Sequence, residues 1–233
     1  MPSRKLIAAI RRELKQRADP EKAPHMRAYM KSAMPYLGVQ TPRLREACRL
    51  VFPAYPLASF DDWRDTVLAL WQGAHFREER YAALMLTGER GYRDYQTLDA
   101  LPLYEELIVT GAWWDYVDLI ASQRIGPLLK RYPGRMKRTM RAWSRSKDLW
   151  KRRTAILCQL SFKNDTDLAL LYECIEPNLA DREFFIRKAI GWALRQHAWT
   201  DAREVQRYVA TNRTRLSPLS VREALKNVGA IHA

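Results

Sequence analysis

The sequence predicts an all-α protein, a single solenoid in which antiparallel helix pairs stack one on the next. Apolar residues recur at i, i+3, i+4 and i+7 in segments of roughly 12 to 18 residues, which is the helical period. Only nine residues of 233 are glycine, and no Asn-Gly or Asp-Gly hairpin signal occurs. Period-2 alternation of apolar residues is scarce, so strands have little support. We therefore predict about a dozen helices and no sheet.

Short polar breaks separate the helical segments. Each contains Pro, Gly, Asp, Ser, Thr or Asn, which end helices or begin turns. They lie near Asp19-Pro20, Leu37-Gly38, Pro53 to Pro56, Gly73, Thr87-Gly88, Leu101-Pro102, Thr110-Gly111, Tyr132 to Gly134, Ser146 to Asp148, Asn164-Asp165, Asn178 to Asp181, Trp199 to Asp201 and Leu216 to Pro218. Helix starts are predicted where a capping oxygen or a first-turn proline precedes a periodic stretch, at Thr41-Pro42, Asp165, Asp181 and Ser217-Pro218.

The organisation is predicted to be one domain over residues 1–233. Short connections favour antiparallel neighbours, and so many helices in series pack more readily as a solenoid than around one centre. Similar phrases recur without a fixed period, as in DLWKRRTAILCQL and EFFIRKAIGWALRQ. No Gly/Ser-rich linker or charge block divides the chain.

The charge balance favours a polyanionic partner. Forty Lys and Arg against 26 Asp and Glu leave a formal charge of +14. Such a charge also fits a merely solvated surface, so charge alone does not decide.

The remaining composition predicts a soluble, cytoplasmic protein. The start, MPSRKLIAAIRRELKQR, lacks the unbroken apolar region of a secretory signal, and no stretch of about 18 apolar residues occurs. Cys48, Cys158 and Cys174 are too few and too scattered for a disulfide framework or a CxxC zinc site. We predict that these thiols fill the core in a reducing compartment.

The segment GAWWDYVDLIASQRIGPLL, residues 111–129, is the most unusual. Trp113, Val117 and Ile120 follow i, i+4, i+7 and form the predicted buried stripe. Trp114 and Asp118 are then together on the adjacent face, an indole one turn before a carboxylate. The structural alternative makes Asp118 a surface acid or the partner of a nearby Arg, with Trp114 filling a groove between helices.

The segment 148–163 carries a charge on its apolar stripe. Arg153 follows Leu149 by four residues and precedes Ile156 on the same line, where a cation needs a partner or a ligand. Lys151 and Arg152 point elsewhere. The structural alternative is an intramolecular Arg–carboxylate bridge.

The segment 183–199 predicts a DNA-facing surface. Lys188, Trp192 and Arg195 follow i, i+4, i+7, so one helix face carries an indole between two cations, and Gly191 removes bulk beside it. The structural alternative is packing, with the cationic stems laid over a tryptophan at a helix seam.

Other chemistries find little support in the sequence. His25, His75, His197 and His232 are far apart and show no metal-ligand spacing, and GxSxG, P-loop and GxGxxG motifs are absent. We therefore predict no metal and no cofactor. Hydrolysis by a well-placed carboxylate remains open.

Five segments together resemble the DNA alkylation repair family, specifically its HEAT-like-repeat alkylpurine DNA glycosylases. The phrases YMK…YLGVQTP, WWDxVD and EFFIxKAIGWxLR are specific in combination, and the resemblance covers nearly the whole chain. The segments are residues 25–46, 103–118, 149–160, 183–195 and 216–227.

The resemblance implies a HEAT-like superhelix whose concave, basic face holds duplex DNA. Asp118 matches the family's catalytic carboxylate, and Trp114 and Trp192 match the indoles that border the lesion. Arg153 matches the arginine near the lesion's backbone, and Tyr29 an N-terminal aromatic at the same site. The implied activity is base excision repair: release of N3- and N7-alkylated purines, 3-methyladenine and 7-methylguanine among them, from duplex DNA. The resemblance also implies that the lesion is recognised from the backbone side while the base stays stacked.

Two further expectations complete the functional prediction. Basic residues are expected to supply sequence-independent phosphate contacts to DNA, and a monomer near the nucleoid is the default; these residues are Arg43, Arg45, Lys188, Arg195 and Arg222. Two alternatives stay open: a non-catalytic HEAT-like module that binds nucleic acid or an acidic protein, and a helical scaffold for protein partners.

Overall fold

A computed structural model describes residues 1–226 and 228 of the chain. Within these residues all regular secondary structure is helical, with fourteen α-helices and no strand. The all-α prediction is confirmed. The chain divides into two compact units, Met1–Leu103 and Tyr104–Ala233. A single domain over 1–233, superhelical curvature and a concave face stay predictions.

The first unit is built from five α-helices and three short 3-10 turns. The helices are α1 (Arg4–Gln16), α2 (Lys22–Met30), α3 (Thr41–Val51), α4 (Phe60–Gln72) and α5 (Arg77–Leu86). The 3-10 turns are Phe52–Ala54, Arg90–Tyr95 and Leu98–Ala100. Its core is centred on two fully buried indoles, Trp63 and Trp71.

The second unit begins within α6, whose first residues precede the boundary. Its helices are α6 (Leu101–Gly111), α7 (Trp114–Ile120), α8 (Gly126–Arg131), α9 (Pro133–Trp143), α10 (Leu149–Leu157), α11 (Leu168–Ile175), α12 (Phe184–Ala198), α13 (Ala202–Thr211) and α14 (Pro218–Ala224). A π-helical turn, Ala121–Ile125, joins α7 to α8 without a break.

Packing in the second unit places three site-bearing helices side by side. Helix α10 packs against α7 on one side and α12 on another, and α12 packs against α14. Helix α9 packs against α8, α10 and α11. The core cluster is formed by apolar residues of α10 to α14, with Ile156, Ile186 and Ile190 almost fully buried.

The predicted breaks coincide with helix boundaries, but Asp165 and Asp181 are not the caps that the sequence predicted. Ser217 caps α14 as expected, accepting a hydrogen bond from the Ser220 amide at 3.0 Å. The cap of α11 is Asp167, because Asp165 lies in a 3-10 turn and its carboxylate pairs with Lys130. The start predicted at Thr41-Pro42 is confirmed, because α3 begins at Thr41 and Pro42 lies in its first turn. Helix α12 begins at Phe184, so Asp181 lies before it and does not cap it.

A buried carboxylate fixes the loop before α3. Glu78, fully buried on α5, accepts hydrogen bonds from three consecutive backbone amides, those of Leu37, Gly38 and Val39 at 2.8 to 3.1 Å. Gly38 adopts φ +86°, and a Cβ there would lie 2.0 Å from the Asp19 carbonyl oxygen. The YLGVQTP phrase is therefore held by a structural requirement for glycine.

Two composition-based expectations can be compared with the structure. Cys48, Cys158 and Cys174 are free thiols and all three are buried, as predicted for core residues. None of the helices in the described part of the chain has both the length and the apolar character that a membrane span requires.

Candidate active site

Asp118 and Arg153 form a bidentate ion pair between α7 and α10. Arg153 Nε donates to Asp118 Oδ1 at 2.7 Å, and Nη2 donates to Oδ2 at 2.8 Å. The paired geometry fixes the plane and orientation of the carboxylate. The sequence placed a carboxylate on one helix and an inward arginine on another; the structure brings them together.

Phe185, at the start of α12, holds Arg153 in this position. Its carbonyl oxygen accepts a hydrogen bond from Nη1 of Arg153, and its ring centre lies 5.9 Å from the guanidinium carbon. Trp113 and Trp150 pack against the same ring at centroid distances of 5.5 and 5.1 Å. Sequence reasoning missed Phe185 and Trp150; the Phe184-Phe185 doublet at a helix start was the available signal.

Burial makes the negative charge of Asp118 costly. Only 12% of its side chain is exposed, against 4% for Arg153. Burial raises the pKa of Asp118 above its ordinary value, and the Arg153 hydrogen bonds oppose that rise without cancelling it. Among the described residues the carboxylate is thus bound by Arg153 alone, in a low-polarity environment with a small exposed fraction.

The two candidate indoles are partly exposed. Trp114 is the first residue of α7 and lies one turn before Asp118, as the spacing predicted. Trp192, on α12, packs against the core cluster of the second unit and keeps part of its surface accessible. Helix α10, which carries Arg153, contacts the helices of both indoles.

Lys188 and Arg195 share a carboxylate that the sequence did not reveal. Lys188 Nζ lies 2.7 Å from Glu223 Oε1 and Arg195 Nη1 lies 2.5 Å from Oε2, both across the α12–α14 contact. These cations lower the pKa of Glu223, Lys188 contributing most. Gly191 has a different role from the predicted one: a Cβ there would lie 2.4 Å from the Glu223 Cβ, so it lets α14 approach α12.

The neighbours of Arg153 on α10 have separate partners. Arg152 pairs with Asp181 at 3.1 Å, and Lys151 pairs with Glu105 at 2.5 Å. Both do point away from the Asp118 pair, as predicted. Arg152–Asp181 therefore offers a natural comparison, a second Arg–Asp pair one residue along the same helix.

The remaining predicted DNA contacts belong to the first unit, except Arg222, which is exposed on α14. Tyr29 projects from α2 with 77% of its surface exposed, and Arg43 and Arg45 are exposed on α3. DNA contact by these residues stays a prediction.

Comparisons with known proteins give a consistent result. The sequence profile of the DNA alkylation repair enzyme family matches residues 10–228. Among solved structures, a predicted DNA alkylation repair enzyme from Enterococcus faecalis superposes with a TM-score of 0.80 at 27% sequence identity. The match covers 90% of this chain and 96% of that one. A search of curated proteins found no match. The chain belongs to the DNA alkylation repair enzyme family.

Proposed function

We propose that this protein is a DNA glycosylase that hydrolyses the N-glycosidic bond of cationic N3- and N7-alkylated purines in duplex DNA. The observation that carries the proposal is the state of Asp118: a carboxylate oriented by a bidentate arginine and largely buried, with 12% of its side chain exposed. Family membership supports DNA as the substrate. The proposed reaction requires no metal or cofactor.

The chemistry asks little of the protein. An alkyl group at N3 or N7 gives the purine a positive charge, so the base leaves with the electron pair of its bond to C1′ and becomes neutral. The sugar then carries oxocarbenium-like charge, and water adds at C1′ with loss of a proton. Stabilisation of that developing charge is therefore the principal catalytic requirement.

Asp118 fits this requirement. A preorganised anion in a water-poor site stabilises a developing cation without solvent reorganisation, which is worth about 3 to 4 kcal/mol for comparable groups. The carboxylate also orients the attacking water through a lone pair that Arg153 does not occupy. Arg153 holds the carboxylate ionised and in one orientation, so we assign it a positioning role ahead of direct phosphate contact.

Trp114 and Trp192 would hold the charged nucleotide. An indole face attracts a cation by roughly 0.5 to 2 kcal/mol per contact, and both rings keep accessible surface. Recognition of the lesion from the backbone side would leave the base stacked and tolerate bulky adducts. Tyr29, Arg43 and Arg45 would contribute contacts from the first unit.

The non-catalytic alternative rests on the same ion pair. An intramolecular Arg–Asp bridge is also what a purely structural role for both residues requires. In that case Asp118 would stabilise the fold, and the basic surface would bind nucleic acid without chemistry.

Base release distinguishes the two functions. Wild-type protein is incubated with methylated duplex DNA, and free 7-methylguanine and 3-methyladenine are quantified by chromatography against unmethylated duplex and protein-free controls. We expect release of both bases together with salt-sensitive duplex binding. Salt-sensitive binding with no base released would contradict the glycosylase proposal for methyl adducts and support the binding module.

A further inference from the structure

A row of four exposed arginines extends along α9 and past both of its ends, away from the face that packs against neighbouring helices. We propose that this arginine stripe, Arg131, Arg135, Arg138 and Arg145, binds the phosphate backbone of a second segment of duplex DNA. One protein molecule would then hold two duplex segments at once. The proposal rests on DNA being the substrate, and it does not depend on base release.

The position of the stripe follows from the helical period. Met136, Met140 and Trp143 are buried and form the face that α9 turns toward its neighbours. At 100° per residue, Arg138 projects from the opposite side, and Arg145 is an exposed residue just after the helix ends. The stripe therefore faces away from the protein interior.

The other two arginines extend the same row. Arg131 ends α8 and Arg135 is in the first turn of α9, and both are exposed. The Arg131 guanidinium carbon lies 5.2 Å from the Tyr132 ring centre, which restrains it without neutralising it. Arg138 lies within α9 and Arg145 lies just beyond its end, so the row follows the length of the helix, and a duplex backbone presents several phosphates over such a length.

The stripe carries uncompensated charge, whereas its flank does not. Among the described residues no carboxylate pairs with any of the four arginines; Arg145 donates only to the Arg141 carbonyl oxygen at 3.2 Å. The flank toward α11 also bears three cations, and each is in an ion pair: Lys130 with Asp165, Lys137 with Asp167, and Arg141 with Glu173. Carboxylates thus neutralise the cations on the flank toward α11, and none in the described part of the chain pairs with the arginines of the stripe.

Duplex DNA is the partner that this surface fits. Arginine presents a planar fork of donors that matches phosphate oxygens, and a row of four releases counterions from a polyanion. The stripe faces away from α10, the helix that supplies Arg153, so a duplex seated against Asp118 leaves it free. A second segment of the same polymer is always close at hand on a DNA-bound protein.

The test is capture of a second duplex. Protein is bound to an immobilised short, undamaged duplex and then given a fluorescent duplex of the same length. We expect wild type to capture it. The variant R135Q/R138Q/R145Q should lose capture by at least about 10-fold, with its affinity for the first duplex changed by less than about 3-fold.

The matched control removes three cations from the ion-paired flank. K130Q/K137Q/R141Q changes the net charge by the same amount on the neighbouring, ion-paired flank, and it should retain capture. A wild-type protein that captures nothing, or a stripe variant that captures normally, would overturn the proposal. A parallel loss of first-duplex affinity would assign the stripe to the first duplex instead.

Two further measurements distinguish this proposal from dimerisation of the protein and from the glycosylase proposal. Mass photometry should show one protein with two duplexes; two proteins with two duplexes would mean bridging by dimerisation and would overturn it. The Asp118→Asn variant should capture a second duplex as the wild type does. Capture of a second duplex without base release would contradict the glycosylase proposal and support this one. Base release without capture would support the glycosylase proposal and contradict this one.

Discussion

Each unit of the protein contains a buried carboxylate whose pKa burial raises, Glu78 in the first and Asp118 in the second. Glu78 is fully buried and accepts hydrogen bonds only from backbone amides. Asp118 is partly exposed and accepts from a guanidinium. Burial of a carboxylate is common to both, but its partners and its exposed edge differ.

The difference separates a structural acid from a candidate catalytic one. The carboxylate of Glu78 is occupied by a loop that would otherwise bury three unpaired N–H groups, and it has no access to a substrate. Asp118 keeps 12% of its side chain exposed and has a partner that favours its charged form. A raised pKa therefore identifies an active-site residue only together with access.

Replacing Arg153, the cation that pairs with Asp118, should have the largest effect on the free energy of unfolding. Arg153→Gln leaves the Asp118 charge buried without a counter-charge, and we expect the free energy of unfolding to fall by about 4 kcal/mol. Arg152→Gln is the control; because its pair with Asp181 is more exposed, it should cost about 1 kcal/mol. Urea unfolding measures both, and equal losses would contradict a special role for Arg153.

The same variant should shift the pH dependence of base release. Asp118 must be ionised to act, so activity falls as the pH drops through its raised pKa. Without Arg153, which lowers that pKa, the acid limb should move to higher pH. An unmoved acid limb in folded Arg153→Gln would show that another group controls it.

Removing the acid of the first unit should affect stability alone. Glu78→Gln replaces an acceptor by an amide whose N–H groups face the backbone N–H groups of the 37–39 loop, at an expected cost of about 3 kcal/mol. The rate of base release per folded molecule should stay within about 2-fold of wild type. Glu46→Gln, an exposed acid of the same unit, is the control. A slowed rate in folded Glu78→Gln would break the comparison.

The raised pKa values of Glu78 and Asp118 also predict the direction in which the free energy of unfolding changes with pH. Folding raises both pKa values, so the folded state binds protons that the unfolded state has released. Their contribution to stability is complete below the ordinary pKa and is lost as the pH rises through the raised one. A smaller loss over this window in Glu78→Gln, measured by urea unfolding, would confirm that sign.

A third carboxylate, Glu223, tests the role of close packing. Gly191→Ala would drive a Cβ to 2.4 Å from the Glu223 Cβ and 2.8 Å from the Ser220 carbonyl oxygen, at an expected cost of about 2 kcal/mol in unfolding free energy. Gly134→Ala, where nothing lies within 4 Å, should not destabilise the protein. Equal thermal stability of the two variants would contradict the packing role of Gly191.

The smallest effect is expected from the charge of Glu223 itself. Because its partners are partly exposed, Glu223→Gln should cost under about 1 kcal/mol, and releasing Lys188 and Arg195 should tighten duplex binding by about 2- to 5-fold with a steeper salt dependence. Glu183→Gln, at the N-terminus of α12, is the control. Weaker binding would show that DNA contacts the intact cluster of Lys188, Arg195 and Glu223.

The sequence predicted local features better than their partners. Helix boundaries, the Trp114–Asp118 spacing and the inward position of Arg153 follow from period and caps, and the structure agrees. Glu78 and Glu223 were missed because each meets its partners across a large sequence separation, which periodicity does not encode. Gly191 was misread for the same reason: its neighbour is another helix.

The central claim is that the Asp118 carboxylate catalyses base release. The most direct test is the single-turnover rate of 7-methylguanine release by Asp118→Asn, on protein shown by circular dichroism to be folded, beside Asp181→Asn. We predict a fall of about 100- to 1000-fold for Asp118→Asn, with duplex affinity retained and the Asp181 variant near wild type. A folded Asp118→Asn protein that releases base at the wild-type rate would contradict the claim.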